Sequence, residues 1–423
     1  MTSLPQTTCL ISGGGPAGLM LGFLLAKAGV DVTVLEKHAD FLRDFRGDTI
    51  HPSTMQTMDE LGLLDEFLKL PHQPVSSMTG QFGNESIRMA DFSRLRVKAP
   101  FIAMIPQWDF LNFLAENAKA HPNFRLLMQT EAHDLVRDGS RVTGVKATGP
   151  DGDFDIHASL VVAADGRWSK LRQAARLELE DHGAPIDVLW FRMGRDQGDA
   201  EQVQARFDTG KVAIALNRGD YWQCAFVIPK GANDAIRAAG LPAFRQNLVS
   251  LLPFAAKHAG EITSWDQVKL LSVQVNRLKT WWLPGFLCIG DAAHAMSPVG
   301  GVGINLAVQD AVAAANVLAS PLRDRRPVKD QELAAIQTRR EWPAKMTQRM
   351  QVIVQNRILA KALGNKGDMR VPMLLRVIMA IPGLRALPTR ILGLGVRPEH
   401  ISKELSATWR RPARTPMKSL ALT

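Results

Sequence analysis

Three separated sets of residues in this chain have types and spacings that suit one long, phosphate-bearing ligand. Gly13, Gly15 and Gly18 fill the glycine positions of G-x-G-x-x-G, with Pro16 and Ala17 between them. In that pattern the first glycine makes a tight turn, the second lets backbone approach a pyrophosphate, and the third allows a helix to pack closely on a strand. Glu36, followed by Lys37, closes the next apolar run, where an acid accepts hydrogen bonds from an adenosine ribose. Asp165-Gly166 ends a second apolar run in LVVAADGRWSKLR, and Gly290-Asp291 ends a third in GFLCIGDAAHAMSPVGGVGINLAVQDA. An acid at Glu36 disfavours a ribose 2′-phosphate, so the first set suits FAD or NAD rather than NADP.

These residues need strand–turn–helix elements to hold them. TCLISGGGPAGLMLGFLLAKAGVDVTVLEK reads as strand, glycine turn, helix ending at Gly29, and second strand. A helix N-terminus placed after the turn offers free N–H groups and a partial positive charge to phosphates. In the far segment, Asp291 suits the hydroxyls of a ribityl chain. Pro298, Gly300, Gly301, Val302 and Gly303 then lead into a helix at Ile304 and Asn305, whose first amides suit a flavin ring. NAD has no ribityl chain, so the combination indicates FAD. The plainer alternative is an ordinary strand–turn–helix with a capping aspartate.

With these residues the chain resembles the class A flavoprotein aromatic hydroxylases, the para-hydroxybenzoate hydroxylase-like FAD monooxygenases. The resemblance rests on the GxGxxG, on Asp165-Gly166 with Ser169 and Arg172, and on Gly290-Asp291 with Pro298. Smaller matches are Arg46-Gly47 followed by HPSTMQTMDELGLLDEF, and Gln107 opening QWDFLNFLAENA; together they span roughly residues 5–320. The resemblance implies non-covalent FAD touched by Arg46 and Gln107, with Asp291 near its ribityl or pyrophosphate region. It places Gly301, Val302, Gly303, Ile304 and Asn305 along the isoalloxazine, and links Asp165 and Arg172 to both FAD and the nicotinamide donor. The implied activity is an NADH- or NADPH-consuming monooxygenase that inserts an oxygen atom from O2 into an aromatic or polyketide-like small molecule through a flavin C4a-hydroperoxide. A dehydrogenase or reductase of the same fold, and a non-catalytic flavoprotein sensor, are the alternatives.

The expected fold is α/β, a Rossmann-like FAD-binding domain of the GR2 type interleaved with an antiparallel β-sheet substrate domain and followed by C-terminal helices. The cofactor domain is drawn from residues 1–75, 100–182 and 268–320, the substrate domain from 76–99 and 183–267, and a helical region from 321–423. IDVLWFRMGR, VQARFD, KVAIALN and YWQCAFVIPK alternate as strands of a sheet with one covered face. The catalytic chamber is expected between the domains. Trp190, Phe191 and Trp222 are aromatic lining candidates, and Arg192 and Gln223 are polar exceptions able to orient a substrate, although such residues also serve as plain core. Tyr221 is the only tyrosine, so the family's tyrosine relay is not carried over. His51 and His294 lie in cofactor-linked segments, but no general base is assigned. No cluster has metal-ligand spacing.

Composition agrees with a multi-domain enzyme of 423 residues, 46% of them hydrophobic. No apolar run reads as a membrane span and residues 1–20 lack a signal-peptide pattern. Cys9, Cys224 and Cys288 fall in apolar strands and form no C-x-x-C, which excludes dithiol chemistry and fits a reducing cytoplasm. The net charge is +10, with much of the excess after residue 320. Those basic, apolar helices have two readings: contact with an anionic membrane surface, or, preferred, a cover on the cofactor domain or a homodimer contact. No motif supports nucleic-acid binding.

Overall fold

The computed structural model describes residues 6–42, 49–199, 203–364, 370–381 and 383–409. Its first sheet is built from apolar runs that are buried on both faces, as parallel strands covered by helices must be. Side by side run Phe286–Cys288, Gly152–Ala163, Thr7–Ser12, Val32–Leu35 and Phe124–Leu127, all parallel. Register fixes the functional consequence: Ser12 lies opposite both Ala163 and Leu35, and Ala163 lies opposite Cys288. Four strands from distant parts of the chain therefore end on one line. Hydrogen bonds Gly13 N to Leu35 O, Ala164 N to Ser12 O and Ile289 N to Ala163 O, at 2.8–3.0 Å, carry the ladder to the first residue of each turn. Gly152–Ala163 also continues into an antiparallel meander with Arg141–Gly149 and Glu131–Asp138.

Helices Pro16–Lys27 and Gly303–Arg323 pack against one another on this sheet. The second of these, with the turn before it, is long and apolar enough to cross a membrane, contrary to the sequence reading, but most of it is buried in the cofactor-domain core.

The second sheet has the order Lys269–Leu271, Ile186–Gly194, Tyr221–Pro229, Lys211–Asn217, Gln204–Asp208, Ser77–Phe82 and Glu85–Asp91. Only the pairing of Gln204–Asp208 with Ser77–Phe82 is parallel. The strand Lys269–Leu271 pairs with Ile186–Gly194, so the sheet runs past the boundary expected at 267. Alternation separates its faces. Leu189, Phe191, Met193, Trp222, Cys224 and Phe226 pack with Phe244 and Leu248 of the covering helix Leu241–Leu251. Val188, Trp190, Val212, Ile214 and Ala225 share the opposite face, which receives Val299 from the cofactor domain.

The C-terminal helices do not form a region of their own. Leu333, Ile336 and Ala344 of the helix Asp330–Val354 belong to the cofactor-domain core, because its inner face packs on Gly303–Arg323. Leu359, Ala362 and Val371 instead pack under the second sheet.

Candidate active site

The four turns at the sheet edge meet in space. Gly13 has φ +106°, and a Cβ there would strike the carbonyl of Ala164. A Cβ at Gly18 would run into the carbonyl oxygen of Gly13. These two glycines are required by the protein's own packing. Gly15 and Gly303 differ: a Cβ on either meets nothing within 4 Å, so backbone is open to a ligand at both places. Both begin or directly precede a helix with no side-chain cap and no acid in its first turn, leaving N–H donors and the positive dipole end facing that space.

Glu36 follows Val32–Leu35 and is buried. Its Oε2 accepts from Gly14 N at 3.1 Å and its Oε1 from His38 N at 3.0 Å, so backbone fixes the carboxylate beside the glycine turn. Lys37 is exposed and lies 3.9 Å from Glu131. Pro16 and Ala17 start the helix; a Cβ at Gly290 would lie 3.1 Å from that of Ala17 and 3.5 Å from that of Ala307. The first and third motifs are thus in contact through small residues.

Asp165 is tied to the short helix Lys170–Ala174 by Leu171 N at 3.3 Å, and its Oδ1 is buried without a protein partner. Burial pushes its carboxyl up, against the opposing pull of Ser169, the Leu171 amide and the Arg172 charge. Arg172 is buried, donating to Ala292 O at 3.0 Å and Arg167 O at 2.8 Å. Its guanidinium thus clasps the second motif to the third. Arg167, which the sequence reading passed over, lies 3.5 Å from Asp291 Oδ2, and both are only partly exposed.

Gly300 and Gly301 have φ of +81° and +63°, turning the chain after Pro298 into the helix at Gly303. Thr49 Oγ1 donates to Gly301 O at 2.9 Å. Val302 and Ile304 are buried. Asn305 Oδ1 accepts from His51 N at 3.1 Å and from Thr54 Oγ1 at 2.7 Å, so its side-chain oxygen anchors the helix Pro52–Glu60; its Nδ2 is buried without a protein partner. His51 sits 2.7 Å from Leu392 O through Nδ1, and burial holds its pKa down to about 4. It is neutral at ordinary pH.

His294 Nε2 is 2.6 Å from Asp310 Oδ2, which also accepts from Gly290 N at 3.0 Å; Arg340 Nε donates to Oδ1 at 2.8 Å. Burial alone would raise the Asp310 carboxyl, but the His294 and Arg340 partners hold it below the usual range. Both histidines are therefore structural partners of backbone or carboxylate. Gln107 opens the helix Gln107–Lys119 and is half-buried. Arg46 lies outside the described residues.

Sequence reasoning missed one row of residues that shape the loop. Gln348, Gln351 and Gln355 lie on one helical face and bind its backbone and Ser297. Gln348 Nε2 reaches Ala295 O at 3.0 Å; Gln351 accepts from Ser297 N at 3.1 Å and donates to Ser297 O and Val299 O at 2.9 Å; Gln355 donates to Ser297 Oγ. Their spacing of three and four in TQRMQVIVQN was the available signal.

Of the four substrate candidates, Trp190, Arg192 and Gln223 lie on the sheet face that meets Val299. Gln223 is buried and accepts from Arg218 Nε at 2.7 Å, while Trp190 Nε1 is buried without a protein acceptor. Trp222 is corrected to the other face, where Nε1 donates to Asp199 at 3.0 Å and the ring packs on Phe254; Phe191 shares that core. Arg192 is exposed, stacked 4.0 Å above the Tyr221 ring near Asp220. Burial raises the thiol of Cys9 to about 12, and those of Cys224 and Cys288 also lie well above the ordinary value, so all three are inert packing residues at neutral pH. No group of metal-ligating side chains occurs among the described residues.

The residues present fit FAD: two glycines open to ligand beside two uncapped helix starts, a fixed acid at the ribose position, and orphaned polar atoms on Asp165 and Asn305. A family model described as "FAD binding domain" matches residues 6–349. The chain is similar to the 6-methylpretetramide 4-monooxygenase of Streptomyces rimosus, 30% identical over 91% of this chain and 92% of that protein. It is 28% identical to the FAD-dependent monooxygenase atmM of Aspergillus flavus, over 90% of this chain and 82% of the other. Its fold matches the crystal structure of p-nitrophenol 4-monooxygenase PnpA from Pseudomonas putida with a TM-score of 0.71, at 20% identity and 95% coverage of each chain. The chain belongs to the FAD-binding domain family, among its FAD-dependent aromatic monooxygenases.

Proposed function

We propose that this enzyme hydroxylates an aromatic, polyketide-like small molecule, using FAD, NADH or NADPH, and O2. The observation that carries the reading is the alignment of the glycine, Asp165 and Asp291 turns on one sheet edge, opposite an apolar face of the second sheet. The polyketide class is taken from the relative that acts on 6-methylpretetramide. In this reading the amides after Gly15 hold the pyrophosphate, Glu36 holds the adenosine ribose, and Asp291 with the first amides of Gly303–Arg323 holds the flavin half. Bound FAD supplies electron transfer from the nicotinamide donor and activation of O2.

The protein supplies position and dryness. Trp190 and Ile214, both half-buried, offer apolar surface that excludes water from the reacting centre. Trp190 Nε1 and the Gln223–Arg218 pair give directed polar groups on the same face, suited to carbonyl and hydroxyl groups of a fused-ring substrate.

With FAD-loaded protein and a panel of aromatic polyketides, nicotinamide oxidation should accelerate when the right substrate is added, and isotopically labelled O2 should leave one labelled atom in the product. Substrate turnover without label in the product would establish the dehydrogenase reading instead.

A further inference from the structure

Residues 370–398 contain five arginines and no acid, in a sequence otherwise dominated by apolar residues. The described part of the helix Met373–Ala380 presents Met373, 80% exposed, and Val377; Ile381, Leu384 and Leu387 continue the exposed apolar surface beyond it. Isolated exposed apolar residues are ordinary, whereas a contiguous set rimmed by charge of one sign marks a contact surface. Beside it lies a groove of about 950 Å3, its apolar wall formed by Ile87, Leu95, Met379 and Leu387. Five arginines line the same groove: Arg88, Arg94, Arg96, Arg385 and Arg390. Asp91 engages Arg88 and Arg94, and Glu85 engages Arg376. Arg96, Arg385 and Arg390 make no ion pair among the described residues.

We infer that this surface docks on an anionic phospholipid bilayer, with Met373, Val377, Ile381, Leu384 and Leu387 in the headgroup region and Arg96, Arg385 and Arg390 against lipid phosphates. Charge complementarity selects this occupant: the groups without an ion pair among the described residues are all cationic, and the apolar side chains between them need an apolar phase that a nucleic acid lacks. The basic helix Asp330–Val354, the other candidate, turns its inner face into the protein core. The docking segment continues into Leu392, whose carbonyl meets His51 and whose side chain lies 2.8 Å from where a Cβ of Gly300 would stand, so a lipophilic substrate would arrive beside the flavin-side loop. The inference does not rest on the oxygenase reading.

The test is co-sedimentation of the full, FAD-loaded chain with vesicles of phosphatidylcholine alone or with added phosphatidylglycerol. Binding is expected only to the anionic vesicles and should weaken with salt. The pair Arg385→Glu and Arg390→Glu should lower partitioning at least roughly tenfold, as should the pair Met373→Glu and Val377→Glu, with FAD content and melting temperature retained. Reversal of Lys119 and Lys146, exposed lysines of the cofactor domain, should have little effect. Failure of the folded parent to bind, equal binding to both vesicle types, or equal loss in the lysine control would overturn the proposal. Capture of an acidic protein in place of vesicles would overturn it too.

Discussion

Two kinds of glycine occupy the first motif and its counterpart at residue 303. Gly13 and Gly18 are fixed by collisions within the protein, whereas Gly15 and Gly303 have open space where a side chain would begin. Gly15 has φ −78°, which any residue adopts. Gly18→Ala should therefore abolish a stable fold, because the nearest obstacle is backbone. Gly15→Ala should leave stability within about 1 kcal/mol yet weaken FAD at least roughly tenfold, equivalent to ~1.4 kcal/mol. Thermal melts of the apo forms and fluorescence titration with FAD separate the two outcomes; an unchanged FAD affinity in Gly15→Ala would remove that residue from the pyrophosphate site. Glu36 is less clean as a probe, since truncation also orphans the amides of Gly14 and His38.

At the level of elements, the loop between Phe286–Cys288 and Gly303–Arg323 is held from outside. Buried backbone must find partners, and carboxamides can both donate and accept. The helix Asp330–Val354 and its continuation supply them through Gln348, Gln351 and Gln355. Gln351→Ala would strand Ser297 N and the carbonyls of Ser297 and Val299 at once. It should lower unfolding free energy by about 1–3 kcal/mol and reduce FAD affinity severalfold by loosening the turn before Gly303. Urea unfolding of the apo form and FAD titration check the two parts separately; a full loss of stability with unchanged affinity would assign the row a scaffold role alone.

Across the whole molecule, distant segments converge on buried polar centres. Asp310 joins the Gly290 turn, His294 and Arg340, and Arg340 reaches Glu399 at 3.3 Å. His51 joins Pro52–Glu60, Asn305 and Leu392. Its pKa, held near 4 by burial against an ordinary 6.5, means the unfolded chain binds this proton and the folded chain resists it. The associated stability is complete above pH 6.5 and is lost as pH falls toward 4, amounting to about 3 kcal/mol. Because carboxylates titrate in the same window, the measurement is a difference: unfolding free energy of parent minus His51→Asn, followed from pH 7.5 to pH 4. That difference should shrink on acidification, and a pH-independent difference would show that His51 does not titrate with folding.

Residue order alone determined the parts whose chemistry is local. A strand running into glycines and then a helix is recognisable in sequence because turn, helix start and acid at Glu36 are separated by short, fixed spacings. The same holds for the Asp165 and Asp291 turns, for the FAD they imply, and for the alternating strands of the second sheet. Tertiary structure decided which distant residues share a partner or a face. Arg172 became a buried clasp because Ala292 comes within its reach, and Gln351 a loop anchor because one helix lies over Ser297. Trp222 and Trp190 differ because their registry assigns them to opposite faces: Trp222 pairs with Met193, and Trp190 with Ala225. Hydrophobic pattern sets that a strand has two faces; only packing against Leu241–Leu251 on one side and Val299 on the other sets which face looks toward the cofactor domain.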